Sequence, residues 1–199
     1  MELPITKLDR IQSLKTEVLN CTKCYELSTT RKNVVFGEGN IDARLLLIGE
    51  APGEDEDKSG KPFVGRSGKL LNNMIEACHL KREDLYIINV LRCRPPNNRL
   101  PKSTEILNCS AFIKRTIALV NPEFILCLGS VASHTLTGLN IKDARGKWFY
   151  YNHHRVTATY HPSYLIRCPQ YKPDAWSDLK MLIDAMQKNQ SPPLPDKIS

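Results

Sequence analysis

Apolar runs the length of a buried strand alternate along this chain with stretches of helical periodicity, and this order constrains the fold more than any other feature. The runs predict four strands, over residues 44–50, 85–93, 124–129 and 155–160. The helical patterns cover residues 5–19, 67–79, 103–120, a segment that begins near 130, and 174–187. Strands that alternate with helices form a mainly parallel sheet with helices on both faces. The sequence therefore predicts an α/β fold, with the short fourth strand nearer an edge.

The ends of the predicted strands are the first place to look for a functional site, because open parallel sheets bind ligands at the carboxyl ends of their strands. Three of the four ends carry polar residues or cysteine that a purely structural sheet does not require. The four ends are Gly49-Glu50, Asn89 to Cys93, Gly129-Ser130 and His161-Pro162.

Length and composition fit a single domain. The chain has 199 residues, of which 41% are hydrophobic and 25% are charged, and we assign one domain to residues 1–188. The Pro-rich segment 189–199 is predicted to be a disordered tail. No run approaches the roughly 18 apolar residues that span a bilayer, and the start lacks the pattern of a secretion signal. We expect a cytoplasmic protein that is a monomer and has no membrane partner.

The charge of the chain favours a polyanionic partner. Lys and Arg number 28 against 21 Asp and Glu, a formal net charge of +7. Such a basic surface suits nucleic acid, because neutralised phosphates release counterions. A solvated surface with a mild basic excess explains the same number, so charge alone leaves both interpretations open.

Seven cysteines in a chain without a secretion signal indicate metal or redox chemistry rather than disulfides. Cys21 and Cys24 form a C-x-x-C pair, Cys93 follows a predicted strand, and Cys109 lies in a predicted helix. Four thiolates hold either a zinc ion or a cubane iron–sulfur cluster, and unrelated buried thiols are the alternative. Of the other cysteines, two lie in apolar runs and are expected in the core, and one is unassigned: Cys78, Cys127 and Cys168.

The loop after the first predicted strand is rich in Gly, Pro and acidic residues, and it contains one aromatic residue, Phe63. It matches neither a dinucleotide-binding fingerprint nor a phosphate-binding P-loop. Its carboxylates suit a hard cation or a solvated acidic turn. Neither interpretation explains Phe63.

Several motifs, in this order, resemble a family 4 uracil-DNA glycosylase, and the resemblance extends from Cys21 to about Leu182. They read VVFGEGN at 34–40, GEAPGEDED at 49–57, GKPFVGRSGKLL at 60–71, NVLRCRPPNNR at 89–99 and TYHPSYLIR at 159–167. The resemblance implies a three-layer α/β/α sandwich with a parallel four-stranded sheet. It also implies a 4Fe-4S iron–sulfur cluster, and the positions that match its ligands are Cys21, Cys24, Cys93 and Cys109.

The resemblance further implies that the chain flips uracil out of DNA and hydrolyses the bond between base and sugar. Phe63 would stack on the uracil ring, and the Asn89 amide would read its Watson–Crick edge. His161 would donate a hydrogen bond to uracil O2, where negative charge develops as the base leaves. Glu50 would position or polarise the attacking water. Glu56 would occupy the space that a thymine methyl group needs.

Two further groups of contacts follow from the same resemblance. Backbone N–H groups around Glu50 and Ala51, at the end of the first strand, would contribute to the uracil site, and Gly49 is expected to belong to the same site. The segment after His161 would hold DNA: Ser163 on a phosphate, Tyr164 or Leu165 as a wedge, and Arg167 as a backbone clamp. The segment 94–101 has no histidine, so we expect turnover without a covalent bond to DNA.

Other functions remain open at this stage. An iron–sulfur protein that only binds DNA, or a glycosylase for another damaged base, would fit much of the pattern. A zinc-dependent hydrolase fits less well, since the chain has no H-E-x-x-H motif. Taken singly, His161 could merely end a strand, Asn89 could satisfy a backbone group, and Phe63 could be core.

Overall fold

The computed structural model describes residues 5–188, so the predicted tail at 189–199 lies outside the described residues. The predicted α/β class is confirmed. The sheet has the order β1-β3-β2-β4-β6-β5. Its strands are β1 (Glu38–Gly39), β2 (Leu45–Gly49), β3 (Tyr86–Asn89), β4 (Phe124–Leu128), β5 (Phe149–Tyr151) and β6 (His154–Thr159).

The sheet is larger and more mixed than the four-stranded sheet predicted. Strands β2, β3, β4 and β6 correspond to the four predicted runs and pair with one another in parallel. Strands β1 and β5 add antiparallel pairs at the two edges, and β5 covers β6. At two and three residues, both edge strands are too short to produce a periodic signal in the sequence.

The second predicted strand ends earlier than its apolar run. β3 stops at Asn89, although the N–H groups of Val90 and Leu91 still bond to the carbonyls of Gly49 and Glu50, at 2.9 and 3.0 Å. The chain then leaves the sheet but stays buried. Val90, Leu91 and Cys93 therefore continue the apolar run as core residues, and Asn89 lies at the end of the strand proper.

Five helices match the predicted patterns: α1 (Lys7–Leu19), α4 (Arg66–Ala77), α5 (Ser103–Val120), α6 (Ser130–Thr137) and α9 (Lys172–Lys188). The N-caps of α4 and α5 are Gly65 and Lys102, so Ser67 and Ser103 lie within the first turns of these helices. Four short helices were not predicted: α2 (Tyr25–Thr30), α3 (Glu54–Ser59), α7 (Ile141–Ala144) and α8 (Pro162–Arg167).

Helices cover both faces of the sheet, which gives three layers. Leu46 and Ile48 of β2 face a core built with apolar side chains of α1, α5 and α6. The alternate residues Leu45 and Leu47 face a second core built with α4 and α9. This alternation follows from strand geometry, in which successive side chains point to opposite faces. Within residues 5–188, no helix is both long and apolar enough to cross a membrane.

Candidate active site and cysteine cavity

A cleft of about 750 Å³ opens at the carboxyl edge of the parallel strands. Residues that follow four neighbouring strands line it, together with the loop between β2 and α4 and with helix α8. The structure brings together here most of the residues predicted for the uracil and DNA sites: Glu50, Ala51, Glu56, Phe63, Asn89, His161, Ser163, Tyr164 and Arg167. The position agrees with the rule that open parallel sheets bind ligands at this edge.

Gly49 allows Asn89 and Phe63 to approach each other. Gly49 and Asn89 are partners in the parallel register of β2 and β3. A Cβ atom at Gly49 would lie 2.3 Å from Asn89 Oδ1 and 2.5 Å from Phe63 Cζ. No side chain fits in that space, so glycine is required for the amide and the ring to lie side by side.

The Asn89 side chain presents an unsatisfied acceptor to the cleft. Asn89 is 2% exposed, and its Oδ1 is a buried atom without a hydrogen-bond partner in the described structure. An unpartnered buried acceptor costs about 1–3 kcal/mol of stability, and nearly all such atoms in proteins are paired. Asn89 therefore has the geometry of a residue that is completed by a ligand with an N–H donor.

Phe63 is held in an unusual backbone conformation beside this acceptor. Its φ angle is 51°, in the left-handed region that bulky residues avoid, and its side chain is buried. Two close contacts fix it. The Arg82 Nη2 donates to the carbonyl of Pro62 at 2.7 Å, and a Cβ at Gly68 would lie only 2.0 Å from the Phe63 carbonyl oxygen. Sequence reasoning did not identify Arg82 as a residue that positions this loop.

Glu56 lines the cleft but uses its carboxylate to brace the same loop. One oxygen accepts the N–H groups of Val64 at 2.9 Å and Gly65 at 3.0 Å, and the other accepts that of Gly53 at 3.0 Å. Hydrogen bonds to a charged acceptor are among the stronger ones in proteins. This bracing role was not predicted from the sequence, which assigned Glu56 only to the exclusion of a thymine methyl group.

His161 faces the cleft as a neutral imidazole with a defined tautomer. Its Nδ1 accepts the backbone N–H of Ser163 at 3.2 Å and lies 2.8 Å from the Ser163 hydroxyl. A backbone N–H can only donate, so the ring proton resides on Nε2. Burial, and next the charge of Arg167, lower the pKa of His161 to about 4. The ring centroid lies 5.6 Å from that of Phe63.

Glu50 is the carboxylate at the end of β2. It is half-buried, and burial raises its pKa, while the charge of Arg167 acts in the opposite direction. A carboxylate that is partly desolvated is a better proton acceptor than one in bulk water. Glu50 and His161 both line the cleft. Glu50 supplies a proton acceptor there, and His161 supplies a hydrogen-bond donor.

Helix α8 presents part of the predicted DNA-binding segment and buries the rest. Ser163, Tyr164 and Arg167 line the cleft, and Arg167 is exposed. Leu165 is 1% exposed and belongs to the core, so its predicted role as a wedge is wrong for this structure. Tyr164 packs against Tyr160 and Tyr171, with ring centroids 5.2 and 5.5 Å away.

The four cysteines predicted as ligands line one small cavity between α1, α2, α5 and the segment after β3. Side-chain donors point at two of the sulfur atoms. Arg31 Nη1 lies 2.9 Å from Cys93 Sγ, and Asn108 Nδ2 lies 3.4 Å from Cys24 Sγ. Across residues 5–188, no group of three or more His, Cys, Asp or Glu is arranged to hold a single metal ion. Cys78 and Cys127 are buried in the core, as predicted.

Arg92 adds a buried positive charge to the same cavity. It is 1% exposed, and it donates to the Phe36 carbonyl at 2.5 Å and to the Thr116 hydroxyl at 3.0 Å. Its Nε has no partner among the described atoms. A buried guanidinium requires a compensating negative charge, and the neighbouring thiolates would supply it. Arg31 and Arg92 were both missed at the sequence level.

Comparison with known proteins identifies the family of the chain that forms this cleft. The model of the uracil DNA glycosylase superfamily matches residues 36–180, a range that contains every part of the cleft described above. The chain belongs to this superfamily. Its match to the family begins after Cys21 and Cys24, which precede residue 36.

Relatives within the superfamily point to its type-4 branch. The chain is 43% identical to a type-4 uracil-DNA glycosylase of Thermotoga maritima, over 81% of this chain and 86% of the relative. It is 37% identical to one of Archaeoglobus fulgidus, over 92% and 96%, and 40% identical to one of Saccharolobus solfataricus, over 90% and 88%. The resemblance to family 4 that the sequence motifs indicated is confirmed.

Proposed function

We propose that this member of the uracil-DNA glycosylase superfamily flips a uracil nucleotide into the cleft and hydrolyses its N-glycosidic bond. The products are free uracil and an abasic site in otherwise intact DNA, which makes the enzyme a monofunctional glycosylase of base excision repair. The observation that carries the proposal is the buried, unpartnered Oδ1 of Asn89, beside Phe63 and within the cleft that contains His161.

The Asn89 amide supports recognition of uracil against cytosine. Uracil presents an N3–H donor next to the O4 acceptor, and the amide offers the complementary acceptor and donor. Cytosine presents an N3 acceptor and an amino donor, so both pairs would be mismatched with the amide in the orientation that it has in this structure. Because the Asn89 Oδ1 is otherwise unsatisfied, the correct base removes a penalty that the wrong base leaves in place.

The chemical step is divided between His161 and Glu50. Water attacks C1′ of the deoxyribose, the C1′–N1 bond breaks, and its electron pair leaves with the base as a uracil anion. The Nε2–H of neutral His161 would donate to O2 of that anion, where charge appears only as the bond breaks. The Glu50 carboxylate would orient the water and take its proton. Phe63 would hold the ring by stacking.

The cysteine cavity supports a structural iron–sulfur cluster. Cys21, Cys24, Cys93 and Cys109 share the cavity with N–H donors at two sulfurs and an orphaned Arg92 Nε. Each thiolate of a 4Fe-4S cluster binds its own iron, so the four need not meet at one point as zinc ligands must. When bound, the cluster would cross-link the N-terminal segment to α5. We also propose a monomer that acts on chromosomal DNA in the cytoplasm.

Asn89→Asp tests the recognition step. The protonated carboxyl can offer cytosine the donor that an amide oxygen cannot, so we expect the ratio of uracil to cytosine excision to fall by about 10- to 100-fold. Single-turnover assays on matched oligonucleotides, each with one uracil or one unpaired cytosine, measure the ratio. An unchanged ratio would remove Asn89 from the recognition of the base edge.

Arg167→Ala tests the contact with the DNA backbone. We expect weaker binding to DNA with and without uracil, and a salt dependence reduced by about one ion. Arg10→Ala removes an exposed arginine of α1, outside the cleft, and serves as the matched control. Affinities at several salt concentrations provide the measurement. A loss confined to uracil-containing DNA would instead place Arg167 among the residues that bind the base.

A further inference from the structure

The sequence motif at residues 34–40 lies outside the cleft. None of the described residues that line the cleft belongs to this motif, and its strand, β1, pairs with β3 at the edge of the sheet. A Cβ atom at Gly39 would lie 1.9 Å from the carbonyl oxygen of Leu85, so only glycine lets β1 approach β3 this closely. The close approach fixes the position of Glu38, the residue before Gly39. The motif therefore places a carboxylate at a fixed position outside the cleft.

Arg82 connects this carboxylate to the loop that carries Phe63. Its Nη2 donates to Glu38 Oε1 at 2.8 Å and to the Pro62 carbonyl at 2.7 Å, while its Nη1 donates to Asn72 Oδ1 at 2.9 Å. The three acceptors belong to β1, to the loop before α4, and to α4 itself. The guanidinium is planar and rigid, so three acceptors fix it in one orientation. The Arg82 side chain is 23% exposed and does not line the cleft, so it can affect a bound base only through this loop.

The peptide groups on both sides of the Phe63 Cα atom are held in place. The peptide group that joins Pro62 to Phe63 is planar, so the hydrogen bond from Arg82 to its carbonyl also fixes the orientation of the Phe63 N–H. On the other side, the Phe63 carbonyl packs against Gly68 of α4, where a Cβ atom would lie 2.0 Å from the carbonyl oxygen. Between these two groups the φ angle of Phe63 is 51°. A bulky residue keeps this left-handed conformation only where its surroundings impose it, and Arg82 supplies one of the two restraints.

We propose that Glu38 and Arg82 are positioning residues that hold the Phe63 ring in the orientation for stacking on uracil. The inference rests on the proposed function of the cleft. The ring lies beside the Asn89 amide, and its centroid is 5.6 Å from that of the His161 ring. Without the hydrogen bond from Arg82, the peptide group before Phe63 can rotate and the residue can relax toward commoner backbone conformations. The ring would then leave this position, and a flipped base would lose its stacking surface.

Arg82→Met tests the proposal through the preference for uracil in binding. The preference is the affinity for a duplex with one 2′-fluoro-2′-deoxyuridine, divided by the affinity for the same duplex without uracil. The fluorine disfavours positive charge on the sugar, so the base stays attached while binding is measured. We expect the preference to fall by about 10-fold, the usual worth of a hydrogen bond from a charged donor. Arg115→Met is the matched control, because it also removes one positive charge and an ion pair, with Glu17, but lies on α5 outside the cleft. Affinity for the duplex without uracil should differ little between the two variants.

Further variants separate a positioning role from a general loss of folding. Arg82→Lys retains a charged donor and should restore part of the preference. Glu38→Ala removes one partner of Arg82 but leaves the bond to Pro62, so it should lower the preference by less than Arg82→Met does. In the background of Phe63→Ala, which has no ring to orient, Arg82→Met should cause no further loss. Residues that act through one another are non-additive in this way, whereas a merely structural defect would add the same factor in both backgrounds.

Two results would overturn the inference. One is a wild-type preference for uracil in Arg82→Met, and the other is an equal loss of preference with and without the Phe63 ring. Glu38 is partly exposed, so Glu38→Ala provides the same double-mutant cycle if Arg82→Met does not fold. A wild-type protein without any preference for the fluorinated duplex would instead reject the proposed function, so the two failures are distinguishable.

Discussion

Replacing His161 with alanine is expected to slow uracil excision by about 10²–10³-fold under single-turnover conditions, the usual cost of one preorganised donor at a developing anion. The structure supplies the reason: Ser163 fixes Nδ1 as an acceptor, which leaves Nε2–H as the donor in the cleft. Affinity for DNA should be nearly unchanged, because phosphate contacts provide most of it. Quenched-flow excision and binding isotherms on the same oligonucleotide measure the two quantities.

A change in the stability of the leaving base distinguishes the role of His161 from that of Glu50. A 5-fluorouracil base leaves as a more stable anion, so it should restore part of the rate lost in His161→Ala. It should restore less of the rate lost in Glu50→Ala, whose defect lies in the attack of water and is expected to be about 10²–10⁴-fold. Equal rescue of both variants, or normal turnover of either on uracil, contradicts this division.

The pH dependence provides a further control on the same pair. Because the pKa of His161 is lowered to about 4, the imidazole is neutral at and above neutral pH. It needs no second proton, because the neutral ring already has the Nε2–H that it donates. Burial raises the pKa of Glu50 above the ordinary value for glutamate. As the pH falls, the Glu50 carboxylate is therefore protonated at a higher pH than an ordinary glutamate. The acid limb of the rate profile should therefore persist in His161→Ala and vanish in Glu50→Gln.

Replacing Cys109 with alanine is expected to bleach the protein and to lower its free energy of unfolding by about 5 kcal/mol, which corresponds to roughly 10–20 °C in Tm. Cys109 lies on α5, and the cavity joins that helix to the C-x-x-C pair before α2. Loss of one ligand would break the cross-link made by the proposed cluster and would leave the Arg92 charge without its counterpart. Visible absorption near ~400 nm, iron content and thermal unfolding measure the effect.

Cys78→Ala is the matched control for this change. Cys78 is also a buried thiol, but it packs in the core on the opposite face of the sheet. Its removal should cost only about 1 kcal/mol and leave colour and iron content unchanged. Bleaching by Cys78→Ala, with a coloured Cys109→Ala protein, would show that the ligand set is wrong.

The position of the cleft could be predicted because it depends on residues that lie next to one another in the sequence. Apolar runs identified the central strands, and the residues after them, such as Glu50, Asn89 and His161, all line the cleft. The edge strands β1 and β5 were missed because two or three residues carry no periodicity. The unsatisfied acceptor of Asn89 could not be predicted from the sequence either, because it depends on a contact across strands with Gly49 and Phe63.

Contacts between distant residues explain the remaining differences. A six-residue helix such as α8 is too short for its periodicity to show that Leu165 points inward. The bracing by Glu56 depends on backbone N–H groups eight and nine residues further along. None of these arrangements follows from the order of apolar and polar residues.

Release of free uracil from DNA tests the central claim most directly. The wild-type protein, in excess over a duplex oligonucleotide with one uracil, should release one uracil per strand, and the strand should break only after alkali treatment. The same duplex with cytosine in place of uracil should release no base. Absence of free uracil, equal release of cytosine, or strand breaks before alkali would contradict the account of a monofunctional uracil-DNA glycosylase.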